Sequence, residues 1–158
     1  MTIEIYKILM LLAFLVPAVW IDHKDHRIPN WLTGGLLTVG ICVQGILGGF
    51  AGVGHALVGM LVGFLIFLLP YLKRGMAAGD VKLMAAIGAC LGPSQALLAA
   101  CLSLVVGGGV ATLLVIYRYY QESTSTVDAL LALRFPYASA IAIGTSITLI
   151  IREIQWTL

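Results

Sequence analysis

His55-Ala-Leu-Val-Gly-Met-Leu-Val-Gly-Phe-Leu-Ile-Phe-Leu-Leu-Pro-Tyr-Leu72 runs for 18 residues without a lysine, arginine, aspartate or glutamate. At a rise of about 1.5 Å per residue, such a run makes a helix that nearly matches the roughly 30 Å hydrocarbon core of a bilayer. The run does not alternate apolar and polar residues, as a strand of a transmembrane barrel does. In lipid only a helix satisfies its backbone hydrogen bonds within one segment, so the run reads as a membrane helix. On either side of it five further apolar segments can be marked: Ile5–Ile21, Trp31–Gly49, Met76–Leu91, Ser94–Tyr117 and Pro136–Ile151. The expected fold is therefore all-α, a polytopic membrane helical bundle of about six transmembrane helices. It forms one membrane-embedded domain over residues 1–158.

Composition agrees. Of the 158 residues 61% are apolar and 10% charged, and mean hydropathy is +1.05. A soluble domain carries about 25% charged residues. Nine Lys/Arg and seven Asp/Glu do not cover a globular surface, which excludes a soluble enzyme and a disordered chain alike. Near the start Glu4 precedes Lys7, and no small-residue cleavage site stands before Asp22, so the first segment reads as a retained helix. Cys42, Cys90 and Cys101 lie inside apolar runs with no CxxC spacing. They read as packing residues, and neither a metal site nor a disulfide is expected.

Charge is unevenly placed. Lys24, Arg27, Lys73, Arg74, Arg118 and Arg134 follow the first, third and fifth segments, and Lys82 lies near the start of the fourth. The opposite side has Lys7 and Arg152. The positive-inside rule makes the basic side cytoplasmic and puts both termini on the non-cytoplasmic side.

The fourth segment reaches a spanning length only if it begins near Met76, which carries Asp80 inside its first turns. A charged residue there normally faces a cavity and marks function. By topology Asp22, at the end of the first segment, lies at the same membrane face. Two carboxyls at one site favour a state with a single proton between them. Such a pair can activate a water and protonate an amide leaving group. Gly79, without a side chain, would let a peptide or a neighbouring helix approach Asp80. From the residues alone plainer roles stay open. Asp22 can be a solvated loop charge, Asp80 a partner of Lys24, Arg27 or Arg74, and Lys82 an interfacial anchor. His23 and His26 read as loop residues, and His55 is assigned no role.

At three stretches the sequence resembles the type IV prepilin peptidases, the GxGD-type aspartic proteases of bacterial membranes, and within them the short branch serving tight-adherence (Flp) pili. The first is Ile21-Asp22-His23-Lys24-Asp25-His26-Arg27-Ile28-Pro29-Asn30-Trp31-Leu32-Thr33, in which Asp22 has the family's spacing to the Pro-Asn pair and Asp25 does not. The second is Ala78-Gly79-Asp80-Val81-Lys82-Leu83-Met84-Ala85, with Ala77 where the first Gly of GxGD would stand. The third is Phe135-Pro136-Tyr137-Ala138, with Gly144 further on.

The resemblance implies a membrane aspartic endopeptidase that removes the short leader from Flp-type prepilins and pseudopilins at the cytoplasmic face of the inner membrane. Asp22 and Asp80 would be the catalytic pair, one acting as base on water and the other as acid on the leaving amine, with no covalent intermediate. Ala78, Gly79, Lys82, Pro29, Asn30 and Pro136 are the candidates for substrate binding or support of the site. No metal, cofactor or nucleic-acid partner is expected; the partners are the prepilin and the lipid bilayer. The resemblance also implies a second family activity, methyl transfer to the new amino terminus, which is not assigned here; the larger members carry a cysteine-containing domain after the first span. Here that region is only Asp22–Asn30 and has no cysteine. Two other functions compete: a small ion-coupled transporter using Asp80, and a non-catalytic pilus assembly protein.

Overall fold

The computed structural model describes residues 2–25, 27–73, 75–121 and 137–157. Every element among them is a helix: α1 (Thr2–Asp25), α2 (Asn30–Leu72), α3 (Ala78–Leu91), α4 (Pro93–Gln121) and α5 (Tyr137–Thr157). α2, Pro93–Leu114 of α4 and Tyr137–Ile154 of α5 are each long and apolar enough to cross a membrane. Large apolar side chains face outward along the bundle, among them Val16, Ile46, Phe50 and Val105, as they do where the solvent is lipid.

The expected second and third segments fall within one element of 43 residues that breaks at Gly49. There φ is 58° and ψ −142°, a left-handed backbone that a side chain would strain. The two arms fold back on one another. Gly52 lies against the Gln44 carbonyl and Gly45 against Val53, and both arms reach α3, Gly40 at Cys90 and Gly59 at Gly88. A straight helix would hold residues 44 and 52 about 12 Å apart. The break therefore makes a helical hairpin of the segments expected at Trp31–Gly49 and His55–Leu72.

α3 differs from expectation. It starts at Ala78 rather than Met76 and has only 14 residues, about 21 Å of helix. The reason is local: Ala77 is extended (φ −82°, ψ 153°) and serves as the cap, so helical geometry begins after it. This short helix is the centre of the bundle. Leu83, Met84, Ala86, Ile87 and Ala89 are fully buried, and a helix apolar all round belongs in the interior. Small residues let the neighbours close on it: Gly59 meets Gly88, and Gly63 meets the Met84 carbonyl. α5 packs on α4 in the same way, with Gly144 against Ser103. None of the three cysteines is in a disulfide; Cys90 is buried in this core while Cys42 and Cys101 face outward. The last two therefore do not fill the interior as the sequence suggests.

Candidate active site

Leu11, Leu15, Ala18 and Asp22 recur at helical spacing and are all buried, so the apolar stripe of α1 ends in an acid. Asp22 is 5% exposed, whereas Asp25, one turn on, is exposed. Its Oδ2 accepts a hydrogen bond from the Ala138 N–H at 3.1 Å. That amide lies in the first turn of α5, where backbone N–H groups lack intrahelical acceptors and the helix dipole favours a carboxylate.

Asp80 is the third residue of α3 and 2% exposed. Its Oδ2 accepts from the Ala77 N–H at 3.1 Å, while its own N–H donates to the Ala77 carbonyl at 3.2 Å. Both carboxyls are thus held by backbone amides at the openings of helices, which constrains the side chains without consuming another acid or base. The two lie near enough for the charge on Asp22 to act directly on Asp80. Asp80 forms no ion pair among the described residues; of the basic partners the sequence allowed, Arg74 lies outside them.

Tyr137, the first residue of α5, completes the wall. Its ring meets Phe67 edge to face, with centroids 6.2 Å apart and planes at 84°. The phenol lies over Gly107 of α4 and within the field of Asp80. This contact couples α2, α4 and α5 one residue from the amide that holds Asp22.

The remaining candidates divide by position. Gly79 is close to Asp80 in sequence, but the space it leaves is taken by Ile28 of the α1–α2 connection, not by an open channel. Ala78 is exposed at the opening of α3. Pro29 caps α2, its carbonyl accepting from the Leu32 and Thr33 N–H groups at 3.1 and 3.4 Å. The Lys82 Nζ donates to Asn30 Oδ1 at 2.8 Å, tying α3 to the start of α2. Two residues along a helix are about 200° apart, so Lys82 and Asn30 lie on the far side of α3 from Asp80. Pro136, like Arg134, Phe135 and His26, lies outside the described residues. His23 and His55 are exposed.

Sequence reasoning picked out Pro136 in the third stretch but not Tyr137 and Ala138 beside it. Tyr137 had a signal, an aromatic hydroxyl inside the third stretch where the last apolar segment begins. Ala138 had none, because it contributes a backbone amide and any residue but proline supplies one.

Fold and site together define a helical membrane protein with a buried pair of carboxyls from segments 58 positions apart. The chain belongs to the Type IV leader peptidase family, which it matches over residues 9–112. Among curated relatives, the prepilin leader peptidase/N-methyltransferase of Aeromonas hydrophila is 35% identical over 122 residues, covering 73% of this chain and 42% of that protein. The protein of the same name from Pectobacterium carotovorum subsp. carotovorum is 38% identical over 109 residues, covering 62% and 39%. That from Neisseria gonorrhoeae is 34% identical over 93 residues, covering 54% and 32%. The chain thus spans less than half the length of these relatives. No solved structure matches it.

Proposed function

We propose that the protein is a membrane aspartic endopeptidase that removes the leader peptide from prepilins, with Asp22 and Asp80 as its catalytic pair. One observation carries the reading. In a chain of this family, two carboxyls remote in sequence are both buried, lie within electrostatic reach of one another and are each anchored by a backbone N–H. Two carboxyls with one proton supply both a base and an acid. The ionised carboxyl takes a proton from water as its oxygen adds to the scissile carbonyl. The protonated carboxyl gives its proton to the departing amine as the C–N bond breaks. The products are a leader ending in a carboxyl and a mature chain with a new amino terminus, and the pair again holds one proton. Water is the nucleophile, so no bond forms between enzyme and substrate.

The finer reading is of a multi-pass protein of the bacterial inner membrane, in which the hairpin of α2 counts as two spans and the basic connections face the cytoplasm. Its substrates are Flp-type prepilins and pseudopilins, whose leaders stay on that side. Supporting this are the seven basic residues that the sequence puts after the first, third and fifth expected segments and near the start of the fourth, and the position of both acids at helix ends, Asp22 three residues before the end of α1 and Asp80 in the first turn of α3. An ion-coupled transporter places such acids near the midplane instead. Ala78, Gly79, Pro29 and Asn30 support the pair by fixing the first turn of α3 and the start of α2 around it. Pro136 precedes Tyr137 and Ala138 in sequence, and Lys82 braces α3 against Asn30. Cleavage of a co-expressed prepilin in membranes, by wild type and by Asp22→Asn and Asp80→Asn, tests the reading. Loss in both variants is expected, and processing that survives both changes would falsify the assignment.

A further inference from the structure

On the face of α3 away from the carboxyls, a cleft of about 500 Å³ opens between that helix and the two arms of α2. Gly34, Leu37, Met60, Leu61 and Phe64 make its walls apolar, and Lys82 and Asn30 stand at one end. The polar end consists of donors. Asn30 Oδ1 is already the acceptor for the Lys82 ammonium, which leaves the Asn30 amide NH₂ and the remaining ammonium N–H groups to meet a ligand. Lys82 forms no ion pair among the described residues.

We propose that this cleft is a binding site for one anionic phospholipid, with an acyl chain between the α2 arms and the headgroup phosphate on Lys82 and Asn30. Charge selects the ligand: a single cation backed by an amide donor suits a monoanionic phosphate. Room inside is real, since a Cβ added at Gly34 would meet nothing within 4 Å. Because α3 separates this face from Asp80, a lipid seated here leaves the carboxyl pair open to substrate. The site ties the start of α2 to α3 through its headgroup and is independent of the peptidase reading.

Native mass spectrometry of the full chain, equilibrated with phosphatidylglycerol or with phosphatidylcholine vesicles, tests the proposal without reference to cleavage. Wild type should retain one phosphatidylglycerol in preference to phosphatidylcholine. Lys82→Gln should lower that retention about fivefold, the equivalent of about 1 kcal/mol per basic residue at a membrane surface, and Lys82→Arg should keep it. Gly34→Leu, whose Cβ meets nothing within 4 Å and whose side chain occupies the cleft, should reduce retention of both lipids. Equal retention by wild type and Lys82→Gln, no preference between the lipids, or a photo-crosslinker at Gly34 that captures prepilin instead of lipid would overturn the assignment.

Discussion

Replacing Asp22 by Asn and by Ala separates its chemical role from its structural one. Asn keeps an oxygen where Oδ2 now accepts from Ala138 at 3.1 Å, but it exchanges no proton. Positioned acid–base groups contribute about 10²–10⁴ in rate, or roughly 3–5 kcal/mol of barrier. Asp22→Asn should therefore lose cleavage by at least about a hundredfold while melting close to wild type. Only the charge-assisted share of the bond and the dipole interaction are lost, roughly 0.3–1 kcal/mol. Asp22→Ala should lose as much activity and, in addition, leave the Ala138 N–H buried without an acceptor, at a cost of about 1–3 kcal/mol. For a chain of this size about 1 kcal/mol moves Tm by 2–4 °C, so Ala should melt roughly 2–12 °C lower. The assay pairs cleavage of a prepilin in proteoliposomes with thermal unfolding of the purified variants. An Asn variant within tenfold of wild type would refute the chemical role. An Ala variant as stable as the Asn variant would refute the structural one.

The remaining expectations are shorter. The rate of cleavage should fall on both the acid and the alkaline side, because the working pair holds one proton; a profile with a single limb contradicts a two-carboxyl site. Gly144→Ala drives a methyl into Ser103 of α4, and overpacking of that kind should destabilise by about 1–3 kcal/mol, read as a lower melting temperature. Ala77→Gly should leave cleavage within about twofold of wild type, because Ala77 already has an extended backbone and its amide, not its side chain, holds Asp80. Tyr137→Ala removes the edge-on contact with Phe67, opens a cavity and should destabilise by about 3–5 kcal/mol, read as a lower melting temperature.

Much of this was legible because lipid leaves few options. Eighteen residues without a charge at His55–Leu72 have to be helix, and the acid that α3 carries in its first turn had to face inward. Asp22 and Asp25 were told apart only by their spacing to Pro29-Asn30, and burial separates them in the same sense. Other features depend on backbone or on distant packing, which residue types do not report. The start of α3 at Ala78 rests on an amide-to-carboxylate bond at Ala77, and the seat of Asp22 on an amide supplied 116 positions away. The space beside Gly79 reads equally well as a channel or as room for a neighbour, and only packing shows Ile28 in it. Lys82 sits in the same motif as Asp80 and yet faces the other way, a consequence of two steps on a helix.

The account comes down to a single proton serving two side chains as one device. Cleavage by Asp22→Asn, Asp80→Asn and the double variant, measured on one prepilin under single-turnover conditions, tests this most directly. Groups that act as a unit are far from additive, so the double variant should be no slower than the slower single one. Losses that multiply across the two positions, or either single variant cleaving at the wild-type rate, would contradict it.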